Sequence, residues 1–194
     1  MPKTITISIA PDGTSTIEAY CLATDSWQDY EHFSEQADKH AALGNMRIAN
    51  REMRAALLCL FSHLEGVVGQ IIQKNTDNIE GANKANTLCD KTAVITKEAK
   101  KNGLVPDLNF RLGKYLRDIV VHPGIEKIFG GETIDEAAVF KKLDIDTLQN
   151  LAERVSCWLD CVCPVFSTSR FTDTKGLVGF FSEALGGDAP IEER

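Results

Sequence analysis

The feature that most constrains the fold is a long apolar stripe in the middle of the chain. Between about residues 46 and 74, apolar side chains recur at steps of three and four residues, which places them on one face of an α-helix. A helix of this length must bury that face against other elements. We therefore predict a helical core built around this segment, with these inward residues: Met46, Ala49, Met53, Ala56, Leu57, Leu60, Leu64, Val67, Val68 and Ile71.

The segments on either side of the stripe have the same period and predict further helices. Before it, Ser26 is placed to cap a helix and Gly44 to end it. After it, the turn-forming stretch "NTDNIEGAN" precedes a third helix over about residues 83 to 102, which stops at Gly103. The inward residues of the first of these helices are Tyr30, Phe33 and Ala37.

Two more helices complete the predicted bundle. Asp107 is placed to cap the fourth helix, and His122 should end it because a following proline disfavours helical geometry. The stretch "GIEKIFGGET" is expected to form a loop, and the last long helix opens at Asp144 or Asp146. The inward residues are Leu108, Leu112, Tyr115, Leu116 and Ile119 in the fourth helix, and Leu148, Leu151, Ala152, Val155, Leu159 and Val162 in the last.

The N-terminal segment has a different period. Ile5, Ile7 and Ile9 alternate with polar residues, "PDG" supplies turn residues, and the alternation resumes at Ile17. Because an isolated hairpin is marginal in water, its apolar face should pack on the helices. We predict an all-α helical bundle over 26–185, with an added N-terminal β-hairpin over 1–22 and a disordered tail over 186–194.

Bulk properties limit the classes of protein that this chain can belong to. Its 194 residues, 43% of them hydrophobic, suffice for one domain with a real core. No stretch approaches the apolar length of a membrane span and no secretory signal is visible, so a cytoplasmic protein without membrane contact is expected. The net charge of −7 argues against broad nucleic-acid binding but leaves room for a small basic pocket. The six cysteines are expected to be thiols, and Cys157, Cys161 and Cys163 to be small buried residues, not metal ligands.

One short stretch, "YLRDIVVHPGI" at 115 to 125, carries residue types that suggest chemistry. Arg117 has a planar fork of donors that suits phosphate, and His122 can transfer protons near neutral pH. They lie about 140° apart on an ideal helix, but His122 is at the unwinding end and can swing towards the arginine. The pair can therefore bind a phosphodiester and move a proton. The alternative is structural, with His122 as a helix cap and Arg117 in a salt bridge to Glu65 or Asp118.

The stretch "LRDIVVHPG" resembles the R-x4-6-H motif of HEPN domains, in which a small polar residue commonly follows the arginine, here Asp118. "LFSHLEGVVGQII" in the long helix resembles the second HEPN helix, where Glu65 would be the acidic residue that faces the motif. The resemblance spans roughly residues 46 to 166. It implies a helical bundle that is usually dimeric, and a family in which many members are metal-independent ribonucleases while others have lost activity.

The resemblance leaves two classes of function open. In the first, the chain is a metal-independent endoribonuclease, a toxin or defence effector, with Arg117, His122, Asp118 and Glu65 as site residues and with no cofactor or metal. Its partners would be a second copy, RNA and a nucleotidyltransferase-like antitoxin. In the second, the chain is a non-catalytic HEPN-like module that acts in dimerisation and partner binding.

Overall fold

The structure is a computed structural model that describes residues 4–9, 15–20, 22–122, 127–129, 132–134 and 142–171. These residues form a helical protein, as the sequence predicts. Five α-helices lie in the described ranges: α1 (Leu22–Ala42), α2 (Met46–Lys74), α3 (Leu88–Ala99), α4 (Arg111–Val121) and α5 (Ile145–Val165).

Two pairs of short strands accompany the helices. Strand β1 (Thr4–Ile9) pairs antiparallel with β2 (Ser15–Tyr20), and their packing on the bundle stays a prediction. Strand β3 (Lys127–Phe129) pairs antiparallel with β4 (Glu132–Ile134). The expectation of a loop over this second pair was wrong, because the sequence between its strands is Gly-Gly, a strong hairpin signal. The predicted tail lies outside the described residues.

Helices α1 and α2 form a helical hairpin. Gly44 has a φ of 74°, a left-handed conformation that costs glycine little, so the predicted stop is confirmed. The predicted cap at Ser26 is wrong, because α1 begins four residues earlier, at Leu22. Nothing between Leu22 and Ser26 breaks a helix, so the helix extends back to Leu22. Ser26 is instead buried inside the helix.

The long helix α2 is the centre of the protein and contacts each of the other four helices. Its predicted inward face is buried, with the exception of Met46, which is 53% exposed at the start of the helix. By length and hydropathy alone α2 could cross a membrane, which corrects the expectation that no stretch approaches that length, but 56% of its apolar window is buried inside the protein. Burial of this kind is expected of a core helix.

The remaining helices differ from prediction mainly at their starts, and α3 also ends before the predicted stop at Gly103, at Ala99. Helix α3 begins after a capping box made by Thr87 and Asp90, and the residues predicted to start it lie partly in a short 3₁₀ turn at Ala82–Lys84. Asp107 does not cap α4, because the helix begins at Arg111 with Phe110 at the N-cap position, and the Asp107 carboxylate instead accepts a hydrogen bond from Lys100 at 2.7 Å. Asp144 does cap α5, as one of the two predicted alternatives, by accepting the backbone N–H of Thr147 at 2.7 Å.

Two contacts fix α5 against its neighbours. The indole of Trp158, fully buried, donates to the Thr96 hydroxyl of α3 at 3.0 Å. On the α4 side, Gly113 approaches Leu151 so closely that a Cβ would overlap Leu151 Cδ2 and lie 3.1 Å from Cδ1. A larger residue in place of Gly113 would therefore displace the side chain of Leu151 where α4 meets α5.

Candidate functional site

Arg117 lies on α4 and is held by α2. Its Nη2 donates to Glu65 Oε1 at 3.0 Å, and its guanidinium carbon is 5.4 Å from the centroid of the Phe61 ring. Phe61 and Glu65 are four residues apart, so both project from the same face of α2. The side chain of Arg117 is only 23% exposed. The long apolar helix thus supplies both a carboxylate and an aromatic surface that fix the arginine.

Asp118 adds a second carboxylate beside the same arginine. Its Oδ2 accepts from Lys114 Nζ at 2.7 Å, and its Oδ1 is 3.4 Å from Arg117 Nε. That Nε is buried and has no hydrogen-bond partner, so the contact with Asp118 is electrostatic. We call Glu65, Lys114, Arg117 and Asp118 the Arg117 cluster. It contains two cations and two carboxylates and is therefore close to neutral.

His122 is the C-cap of α4, where the predicted end of the helix is confirmed. Its backbone N–H donates to the carbonyl of Asp118 at 3.0 Å, and its φ of −124° and ψ of 70° lie outside the helical range. The side chain is exposed. Within the described residues the imidazole has no hydrogen-bond or ion-pair partner, and no contact joins it to the Arg117 cluster. It is accessible to a substrate from solvent.

The structure thus brings three of the four predicted site residues together and leaves the fourth separate. Glu65, Arg117 and Asp118 touch, whereas His122 lies one turn further along the chain with its ring in solvent. Glu65 is 47% exposed, so a phosphate can approach the guanidinium from the solvent side by competing with that carboxylate. Chemically, the arrangement offers one positioned cation and one free proton carrier per chain.

Two residues that lie close to Arg117 were not predicted from the sequence. Lys114 is one turn before Asp118, a spacing at which opposite charges pair on a helix surface, so this spacing could have identified it. Phe61 was not identified as a neighbour of Arg117, because an aromatic residue in an apolar helix is expected to pack in the core. It does so, at 3% exposed, and also carries the arginine on its ring.

A second arginine lies in an aromatic cluster that the sequence did not reveal. The guanidinium carbon of Arg170 is 4.4 Å from the ring centroid of Trp27 and 4.8 Å from that of Phe171. Asp160 accepts a hydrogen bond from it at 3.0 Å. His63 is fully buried, with its ring 5.0 Å from that of Trp27, as expected of a packing residue. These contacts join α1 to the end of α5 and have no evident chemical role.

The described cysteines differ in burial, and Cys59 and Cys161 are half-buried. Cys163 is buried, and burial raises the pKa of its thiol to about 11, so it stays protonated at neutral pH. Cys89 and Cys157 are exposed, so the prediction of a buried Cys157 is wrong. In the part of the chain that the structure describes, no group of three or more His, Cys, Asp or Glu residues could hold a metal ion.

Comparisons of the chain with protein-family models, with curated proteins and with solved structures return no match. The resemblance to HEPN domains therefore depends on the residues of this chain: the Arg117–His122 spacing, the acidic Glu65 on α2 and the order of the helices.

Proposed function

We propose that the protein is a HEPN-like, metal-independent endoribonuclease of the cytoplasm that acts as a homodimer. The observation that carries this proposal is the end of α4. There Arg117 is held by Glu65 and Phe61 from α2, while His122 presents an exposed imidazole at the point where the helix stops. A fixed cation and an exposed proton carrier on the same helix are two of the groups that phosphodiester transfer within RNA requires.

The proposed reaction uses the 2′-hydroxyl of the RNA as the nucleophile. Its oxygen attacks the adjacent phosphorus, the bond from phosphorus to the 5′-oxygen breaks, and a 2′,3′-cyclic phosphate and a 5′-hydroxyl form. His122 transfers a proton, either from the 2′-hydroxyl or to the leaving oxygen. Arg117 binds the phosphate and stabilises the charge that builds on its oxygens. Asp118 helps to shape the site, and Glu65 restrains Arg117.

The homodimer supplies what one chain lacks. A single chain brings one His122, but the reaction needs one group to take a proton and another to give one. A twofold axis beside the exposed end of α4 would place two copies of His122 and two of Arg117 near one phosphate. A further partner would be a nucleotidyltransferase-like antitoxin, because an unregulated ribonuclease is toxic to its host. The hairpin over 1–22, packed on the bundle, completes the proposed architecture.

The test is cleavage of a single-stranded RNA by the purified protein in EDTA, with DNA of the same sequence as a matched substrate. We expect the RNA to be cut, the new 3′ ends to be 2′,3′-cyclic phosphates, and the DNA to stay intact because it lacks the 2′-hydroxyl. Cleavage of the DNA at a similar rate, or loss of RNA cleavage in EDTA, would contradict the proposed chemistry.

One observation favours a second candidate, a non-catalytic HEPN-like module that dimerises and binds a partner. Both Glu65 and Asp118 neutralise Arg117, so the site has little net positive charge to attract a phosphate. Replacing Glu65 by glutamine distinguishes the candidates. In the enzyme, Glu65→Gln should change the rate of RNA cleavage. In the module, the wild type should be a dimer by light scattering and inactive on RNA, and the substitution should affect stability alone.

A further inference from the structure

A cavity of about 500 Å³ lies at the end of α4 that is opposite to the Arg117 cluster. It is lined by the start of α4 and the first turns of α5. Its polar lining includes two guanidinium groups, Arg111 and Arg154, while Leu112 and Leu151 line its apolar wall. A volume of this size fits a small organic molecule, for which an apolar wall with a few polar groups is the usual lining.

The charges of this cavity are unbalanced. The guanidinium groups of Arg111 and Arg154 form no ion pair or hydrogen bond with any residue in the described ranges, and no Asp or Glu is among the described residues that line the cavity. A neighbouring cavity of about 460 Å³ is also lined by Arg111, but there Asp107 is part of the lining, Lys100 pairs with Asp107, and Lys97 pairs with Glu80. In a protein with 28 acidic and 21 basic residues, two arginines at one cavity with no carboxylate among its described lining residues indicate room for an anion.

The backbone adds to this positive potential. Helix α4 has no side-chain cap at Phe110 and no acidic residue in its first turn, whereas the carboxylate of Asp144 caps α5. Arg111 and Gly113, both in the first turn of α4, line the cavity, so the positive end of the helix dipole lies at its wall. This effect strengthens the binding of an anion that the two guanidinium groups already favour.

We propose that this cavity binds a small phosphate monoester, with its phosphate between Arg111 and Arg154 and its apolar body against Leu112 and Leu151. Guanidinium groups match phosphate with paired hydrogen bonds, and a dianion balances both arginines. The amide of Asn109 and the hydroxyl of Thr147, which also line the cavity, supply neutral polar contacts. The site uses neither Arg117 nor His122 and is therefore independent of the proposed ribonuclease activity.

Isothermal titration calorimetry with phenyl phosphate tests the site, with phenol and inorganic phosphate as partial probes. We expect saturable binding of phenyl phosphate, weaker binding of inorganic phosphate and no binding of phenol. Arg111→Gln and Arg154→Gln should each weaken phenyl phosphate binding about tenfold or more, as expected for a lost charged hydrogen bond. Arg47→Gln is the matched control, because Arg47 is also an exposed arginine in the first turn of a helix but does not line the cavity.

Three outcomes would overturn the proposal. The first is a failure of phenyl phosphate to bind saturably at millimolar concentration. The second is binding of phenol that is as tight as binding of phenyl phosphate. The third is a loss of binding in Arg47→Gln that is as large as the loss in Arg111→Gln. Thermal unfolding of each variant confirms that it is folded. RNA cleavage by Arg111→Gln should equal that of the wild type, so failure of this site and failure of the ribonuclease proposal can be told apart.

Discussion

The two ends of α4 place arginines in opposite electrostatic settings. At the C-terminal end, Arg117 lies between Glu65 and Asp118 and rests on the ring of Phe61. At the N-terminal end, Arg111 faces a cavity shared with Arg154, and neither has a carboxylate partner in the described residues. Within the described residues, the charge of the arginine is balanced at one end of α4 and not at the other.

This difference separates two uses of a cation. A paired and partly buried arginine contributes to the fold and is preorganised, so it can act on a phosphate only in competition with its own carboxylates. An exposed and unpaired arginine contributes little to stability and is available to a ligand. The loss of stability on removing an arginine should therefore differ in size between the two ends, and the following substitutions examine the helix and its two ends.

The largest effect on stability is expected where α4 meets α5. Gly113→Val should lower the free energy of unfolding by about 1 to 3 kcal/mol, because the added methyl groups overlap Leu151. Urea denaturation measures this change. Gly69→Val is the matched control, since a Cβ at Gly69 of α2 meets nothing within 4 Å. An equal loss in both variants would show that backbone effects, not the α4–α5 contact, are responsible.

The next substitution compares the two arginines directly. Arg117→Ala should lower the free energy of unfolding by about 1 to 2 kcal/mol, since it removes an ion pair and the contact with Phe61. Arg111→Ala should change it by less than about 0.5 kcal/mol, as is usual for an exposed site. Parallel urea denaturation of the two variants measures the difference. Equal costs at both positions would remove the distinction between the two ends.

The starts of α4 and α5, which both line the cavity, differ in capping, and the pH dependence of stability measures the contribution of the α5 cap. Hydrogen bonds from Thr147 lower the pKa of Asp144 below its usual value of 3.8. The cap therefore stabilises the fold above that usual value and is lost as the pH falls through the lowered pKa. Asp144→Ala should cost about 1 kcal/mol at neutral pH and almost nothing in strong acid. Thermal unfolding at several pH values measures this, and a cost that persists in strong acid would contradict it.

The smallest effect is a gain in stability. Asn109→Asp places a carboxylate just before the uncapped start of α4 and near Arg111, and should raise the free energy of unfolding by about 0.3 to 1 kcal/mol. The same substitution should abolish phenyl phosphate binding, because the carboxylate occupies the anion site. Denaturation and calorimetry on one preparation measure both changes. Stabilisation without loss of binding would show that the anion site lies elsewhere.

Helical periodicity predicted most of the fold because it depends on burial alone. The apolar stripe of α2 gave both its bounds and its buried face, and the proline after His122 gave the end of α4. Helix starts were less predictable. Ser26 and Asp107 are residue types that favour the cap position, but their type alone does not decide whether a helix begins there. Asp107 instead pairs with Lys100, a contact that the sequence does not encode locally.

The residues of the candidate site could be predicted from the sequence, but the balance of charge around them could not. Glu65 lies 52 residues from Arg117, and their predicted pairing is observed, since both helices present one face to the same groove. Phe61 and the cavity of Arg111 and Arg154 were not foreseen. An aromatic residue in a core stripe gives no sign that it will support an arginine, and an unpaired arginine is recognised only once its surroundings are known.

The most direct test of the proposed activity is the rate of RNA cleavage by His122→Ala relative to wild type, with His32→Ala as the control. His32 is also exposed but lies on α1, away from the Arg117 cluster. We predict that His122→Ala lowers the rate on the order of a hundredfold or more, with a thermal unfolding curve like that of the wild type, whereas His32→Ala leaves the rate unchanged. Equal rates for the wild type and His122→Ala would contradict the proposal and leave His122 as a helix cap.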